Sequence, residues 1–247
     1  MKQKIIFILL NLVVVSAFSQ DIKAIIKEAD EKFRGSSSSG EYTMIIERPS
    51  WSREVTMKSW TLGNEFNLIY ISAPAKEKGQ VFLKRHNEMW NWVPSIQRMI
   101  KIPPSMMMQS WMGSDFTNDD LVRESSLVKD YTHNLVGEEV IQGYDCYKAE
   151  LIPFEDAPVV WGKIVMWVSK KEHYWLQAEF YDEDNFLVNT EILTDIKQMD
   201  DRMMPTRLEM IPTEEEGHKT ILIFKNMKFT VNLKESFFSQ QNMKRIR

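Results

Sequence analysis

Residues 186–197 read Phe-Leu-Val-Asn-Thr-Glu-Ile-Leu-Thr-Asp-Ile-Lys. Phe186, Val188, Thr190, Ile192 and Ile196 fall on one side of a period of two, and Asn189, Glu191, Asp195 and Lys197 fall on the other. Successive side chains of a strand point to opposite faces of a sheet. The run therefore predicts an antiparallel strand whose dry face carries the first set and whose wet face carries the second.

The same period recurs on both sides of this stretch. Upstream, Tyr42, Met44 and Ile46 alternate with Thr43 and Glu47, and the pattern returns at Val55 to Ser59, Phe66 to Tyr70 and Val81 to Leu83. Pro49-Ser50, Gly63-Asn64 and Pro74 through Gly79 supply turns between these runs. Further runs cover 134–140, 144–152, 163–169, 174–181, 203–211 and 219–229. About a dozen strands joined by short turns are too many for a flat open sheet. The expected fold is mainly β, a curved antiparallel sheet forming an incomplete β-barrel with covering helices. A barrel of this strand number is too wide for its own side chains to fill, so a ligand space or an inserted helix is expected inside.

Helices are expected at both ends of this sheet. Ile22, Ile25, Ile26, Ala29 and Phe33 recur at helical spacing, and Gly35 with the following serines ends the helix. Residues 232–245 offer Asn232 as N-cap, Glu235 at the third helical position, and Phe237, Phe238 and Met243 to bury, which predicts a helix closing one end.

The first 19 residues have the tripartite form of a secretory signal peptide: Lys2 and Lys4, an apolar run from Ile5 to Phe18, and the small-x-small site Ala17-Phe18-Ser19. The run is shorter than the roughly 20 apolar residues that span a bilayer. Export to the periplasm as a soluble single domain, residues 20–247, is the expectation. No cysteine lies near the cleavage point, so lipidation there is not expected, and Cys146 has no intrachain partner. Without the signal peptide, 29 basic side chains face 35 acidic ones. That balance disfavours nucleic acid as a partner and leaves membrane contact transient.

The central segment is the most unusual. Met89-Trp90-Asn91-Trp92-Val93-Pro94 precedes Pro103-Pro104-Ser105-Met106-Met107-Met108-Gln109-Ser110-Trp111-Met112-Gly113-Ser114-Asp115-Phe116-Thr117-Asn118-Asp119-Asp120-Leu121. Trp90 and Trp92 share one face of a strand. The tandem prolines suit the first turn of a helix, so Ser105 to Trp111 is expected to be a short apolar helix broken at Gly113. Such a helix would lie over the mouth of the barrel as a lid, at about 103–122. Thr117 with Asp120 forms a capping box that opens a further short helix through Val122. The acidic cluster Asp115 to Asp120 lacks the alternating ligands, glycine and final glutamate of a calcium loop, and no metal or other cofactor is expected.

On these residues the chain resembles the LolA-like family of outer-membrane lipoprotein-sorting proteins, in a branch with Trp-x-Trp-x-Pro at Trp90, Trp92 and Pro94 and a match from Pro104 through Leu121. The likeness extends over essentially the whole mature chain. It implies an incomplete antiparallel barrel, helices over an open mouth, and an apolar cavity that takes acyl chains of lipids or lipoproteins for delivery to the outer membrane. It also implies an inner-membrane transporter as donor and an outer-membrane acceptor. Members near the founding carrier latch the lid with an arginine, for which Arg48, Arg53 and Arg98 are the candidates. Flexible methionine and aromatic side chains suit irregular acyl chains. Phe66, Tyr70, Trp90, Trp92, Met106, Met107, Met108 and Trp111 are the expected ligand contacts.

Three rival readings have discriminating features. An enzyme is disfavoured because His86, His133, His173 and His218 are scattered and no nucleophile, zinc or phosphate motif is present. Two carboxylates inside the cavity would favour a hydrolase. An outer-membrane barrel is disfavoured because Glu191, Asp195, Lys197, Arg207 and Glu209 would load one face of two successive strands with charge. The same fold could instead serve as an accessory subunit of an envelope lipid exporter, which would hold no lipid by itself.

Overall fold

The structure is a computed structural model and describes residues 21–247 except Asn87, residues 123–126 and Pro158. The expected signal peptide lies outside the described residues. Asp21 accepts a hydrogen bond from the Ala24 N–H at 3.2 Å and caps α1 (Ile22–Arg34), which buries Ile22, Ile25, Ile26 and Ala29. Gly35, at φ +70°, ends it by donating to the Glu31 carbonyl at 2.8 Å. Among the described residues no helix is long and apolar enough to cross a membrane.

Fourteen strands follow: β1 (Ser37–Arg48), β2 (Trp51–Leu62), β3 (Phe66–Ala73), β4 (Val81–Arg85), β5 (Glu88–Val93), β6 (Arg98–Ile102), β7 (Tyr131–Ile141), β8 (Tyr144–Pro153), β9 (Lys163–Ser169), β10 (Trp175–Tyr181), β11 (Leu187–Met199), β12 (Arg202–Pro212), β13 (Lys219–Phe224) and β14 (Lys228–Phe229). They form one antiparallel sheet in the order β6-β5-β4-β3-β2-β1-β13-β12-β11-β10-β9-β8-β7, with β14 on β1. The serines expected to end the helix instead open β1, where Ser37 and Ser38 are buried.

The sheet does not close, and β6 and β7 are its edges. The 103–130 connection joins those two edges. Its residues Met107, Trp111 and Phe116 and the buried face of α1 share one core with Ile69 of β3, Ile164 of β9, Phe180 of β10 and Leu222 of β13. Strands β3 and β10 are separated by six strand spacings, roughly 29 Å in a flat sheet at about 4.8 Å each. Their meeting around one core requires the sheet to curl, and the face that carries α1 and the connection is the inner face.

Two expected helices differ from the observed backbone. Residues 103–117 hold one 3-10 turn at Pro104–Met106 and further turns, not a helix from Ser105 to Trp111. The carbonyls that would propagate a helix accept from farther along the chain: Met107 from the Asp119 N–H at 3.1 Å and Gln109 from the Asn118 N–H at 2.9 Å. The expected capping box is present, with Asp120 accepting from the Thr117 N–H at 2.8 Å and Thr117 accepting from the Asp120 N–H at 3.1 Å. It opens α2 (Asn118–Val122).

At the C-terminus a 3-10 turn (Glu235–Phe237) and α3 (Gln240–Met243), capped by Ser239, replace the expected helix from Asn232. This segment does not close an end of the sheet. Phe238 and Met243, both at 0% exposure, cover the outer face of β3, β4 and β5 by packing on Phe66, Leu68, Tyr70, Val81, Leu83 and Trp90.

Over residues 189–193 the expected dry and wet faces are exchanged, while Asp195 and Lys197 are exposed as expected. Asn189, Glu191 and Leu193 are buried and point inward, while Thr190 and Ile192 are half-buried on the outer face, Val188 is half-buried against the inner core and Phe186 is exposed. Arg207 and Glu209 pair with Thr194 and Ile192 on that outer face, so Glu191 does not share their side of the sheet.

Candidate functional site

Between the inner face, α1 and the 103–130 connection lies a cavity of about 210 Å³. An apolar cavity of roughly 150 Å³ suffices for benzene. The wall is mostly apolar. Met57, Ile69, Ile164, Phe180, Leu208, Leu222 and Phe224 contribute from the strands, Phe33 from α1, Phe116 from the connection, and Trp161 and Trp175 from either side of β9.

A polar group interrupts this lining. Arg34 from α1, Asp119 and Asp120 from α2, and Glu191 from β11 all face the cavity. Arg34 is ion-paired with Asp30, one helical turn back, at 2.6 Å. Asp120 is held by its capping box and by a hydrogen bond from Trp161, yet burial pushes its carboxyl upward. Glu191 is 4% exposed, and burial raises its carboxyl to about 8; the charge of Asp120 adds to the shift and Arg34 opposes it. The Glu191 Oε1 and the Trp175 Nε1 have no hydrogen-bond partner among the described residues. Leaving a buried polar atom unmatched costs about 1–3 kcal/mol, so this arrangement lowers stability unless something else fills the position.

The connection over the cavity is tied down by charge. Arg48 of β1 donates to both oxygens of Asp115 at 2.9 and 3.1 Å and to the Gly113 carbonyl at 3.1 Å. Thr220 of β13 accepts from the Asp115 N–H at 2.9 Å and donates to its carboxylate at 2.6 Å. Arg53 of β2 donates to the Met112 carbonyl and to Glu77. Arg98, the third arginine candidate, is exposed on the edge strand β6. Glu215 and His218 bring ligand atoms near Asp115, but the bidentate Arg48 already neutralises that carboxylate and the trio is a poor cation site.

None of the eight residues expected to contact a ligand lines this cavity. Phe66, Tyr70 and Trp90 are buried, and Trp92 half-buried, on the outer face beneath the C-terminal segment. Trp90 and Trp92 do share a face, but strand parity assigns the inward positions there to Asn67, Ile69 and Met89 instead. Met107 and Trp111 are buried on the inner face, with the Trp111 ring edge-on to Phe82 at 5.1 Å. Met106 and Met108 are 38% and 54% exposed. Glu191 was expected on a wet face, and Asp120 only as a cap. The signal that marks Glu191 as internal is its register, because its cross-strand partners are Ala178 and Met210.

A protein-family model described as "Uncharacterized protein" matches residues 63–245. The chain belongs to this family. A DUF1329 family protein from Desulfovibrio piger is similar with a TM-score of 0.81 and 24% identity, over 90% of this chain and 97% of that one. A domain assigned to outer membrane lipoprotein-sorting proteins, from Vibrio parahaemolyticus, gives 0.79 and 24% over 90% and 97%. A LolA superfamily protein from Nitrosomonas europaea gives 0.77 and 25% over 89% and 98%. No curated protein matches the sequence. The open antiparallel sheet with its few covering helices is thus the LolA-like fold.

Proposed function

We propose that this chain is a periplasmic carrier that takes an acyl chain of a lipid or lipoprotein into the inner-face cavity and moves it toward the outer membrane. The observation that carries this reading is the apolar-walled cavity left between two layers that elsewhere pack closely. An acyl chain crossing water exposes each methylene at a cost of about 0.8 kcal/mol, so shielding some ten is worth about 8 kcal/mol before ordering costs. Residues 103–122 act as a lid, with Arg48 and Arg53 as its clasps. Met107 and Trp111 hold the lid to the core when shut, and Met106 and Met108 face the membrane.

The test is mass spectrometry of organic extracts from protein purified without detergent. We expect an acyl lipid in near-stoichiometric amount, and less of it in Leu208→Trp, which fills the cavity. Lipid-free protein, or equal lipid in the filled variant, refutes the carrier role. Lipid-free protein that binds a transporter would support an exporter's accessory subunit. One observation favours a second reading, hydrolysis: the carboxyls of Asp120 and Glu191 both line the cavity. Recovery of cleaved lipid, abolished by Glu191→Gln, would establish it.

A further inference from the structure

Glu191 stands near the middle of β11, flanked across the ladder by Ala178 and Met210, neither of which can bond to it. Its Oε1 is buried without a hydrogen-bond partner among the described residues, as is the Trp175 Nε1, and both residues line the cavity. Buried polar atoms in native interiors are nearly always matched, and those that are not ask for an explanation. An unmatched acceptor on the wall of a cavity marks where a donor of the cargo belongs.

The charges around it select the kind of donor. From α2, Asp119 and Asp120 line the same cavity; from α1, Arg34 is the one basic side chain among the described residues that line it, and Asp30 pairs with it at 2.6 Å. The polar end of the cavity therefore carries more acid than base. We propose that the cargo is an aminated amphiphile whose protonated amine donates to Glu191, with Asp120 alongside, while its apolar tail lies along Ile164, Phe180 and Leu222. This rests on the carrier reading and narrows it.

A neutral hydroxyl would satisfy the open acceptor without answering the second carboxylate. A carboxylate or phosphate placed here would be repelled by the Asp120 carboxylate and would leave Glu191 without a donor. The ammonium supplies the counter-charge that the wall lacks, so the Glu191 carboxyl, which burial keeps protonated, loses its proton to solvent as the amine enters.

Trp161 and Trp175 line the cavity, so indole emission follows its occupancy. Delipidated mature protein is titrated at pH 7.5 with decylamine, 1-decanol and decanoate, each below its aggregation concentration. We expect decylamine to bind roughly tenfold tighter than decanol, since hydrogen bonds to ionised partners are the stronger ones. Decanoate should be weakest. Glu191→Gln, nearly the same shape, should erase the preference for the amine, because the side chain can no longer ionise. Asp120→Asn, which keeps an acceptor for the Thr117 N–H, should reduce the preference in part. Equal affinity for amine and alcohol in the native protein, or a preference that survives Glu191→Gln, overturns the amine assignment and leaves the carrier reading standing. Binding of none of the three overturns both.

Discussion

On the outer face of the sheet the C-terminal segment drives Phe238 and Met243 to zero exposure among Phe66, Leu68, Tyr70 and Trp90. On the inner face, residues 107–116 also bury Met107, Trp111 and Phe116, but Arg48, Arg53 and Thr220 fasten them through charge and hydrogen bonds. The inner cover overlies the space lined by Glu191 and Asp120. The outer cover also has charged ties, Arg85 donating to the Phe238 carbonyl at 3.1 Å and Lys244 over the Trp92 ring, but its buried contacts are mainly apolar; ion pairs and hydrogen bonds can be exchanged for others at little net change in free energy. The contrast teaches that aromatic residues conspicuous in the sequence pack beneath the C-terminal cover, while less conspicuous polar ones fasten the connection over the cavity.

The largest expected effect breaks the outer side. Phe238→Ala removes a fully buried ring packed on Phe66 at 5.4 Å and should cost about 3–5 kcal/mol in urea unfolding. Lipid held per folded molecule should not change, and a loss of lipid in the folded fraction would mean that the outer face is part of the site. Next, Arg48→Ala strands the Asp115 carboxylate at 6% side-chain exposure and should cost about 3 kcal/mol. Hydrogen exchange should quicken over 106–118 while β8 to β12 stay protected; uniform loss of protection would show that the connection is an inseparable part of the core.

The third test concerns the cavity wall. Glu191 is raised from 4.5 to about 8 in the folded state by burial, then by Asp120, against Arg34. Below the unfolded value both states hold the proton and no penalty exists. As pH climbs from about 4.5 to about 8 the unfolded chain ionises first, so stability falls, and above that window the loss is constant. The full shift would correspond to about 5 kcal/mol, and water entering the cavity reduces it, so we expect about 2. Glu191→Gln should match the native protein at pH 4.5 and melt at higher temperature at pH 8.5. Equal melting at both pH values would show that the carboxyl is not held in a low-dielectric wall.

The fate of the aromatic predictions shows where sequence reading succeeds and where it stops. A period of two announces that two faces differ, and every long strand was visible on that ground. It does not say which face is internal when both are covered, and here both are. In β3 the outward Phe66, Leu68 and Tyr70 are as buried as the inward Ile69 and Ile71, so parity alone offered no choice and size favoured the set that faces outward. In β11 the half-buried Ile192 looked like the core, and Asn189 and Glu191 like the surface. Only the pairing of Glu191 with Ala178 and Met210, a long-range fact, reverses that. The capping box was legible because its four residues are local; the lid's turns were not, because their hydrogen bonds run to Asn118 and Asp119.

The smallest effect separates the lid's own methionines. Met107 is 5% exposed and Met106 and Met108 are 38% and 54% exposed, so one of the three belongs to the core and two look outward. Exposed side chains away from special features change stability by no more than about 0.5 kcal/mol, and the double variant Met106→Ser with Met108→Ser should stay within that limit. Its lipid content should equal that of the native protein, because neither residue lines the cavity. What should change is the rate of lipid transfer between vesicles: an apolar pair on the outside of the lid has a role only where the lid meets a membrane. A variant that transfers at the native rate removes the membrane-facing role, and one that holds less lipid turns these two residues back into the ligand contacts the sequence suggested.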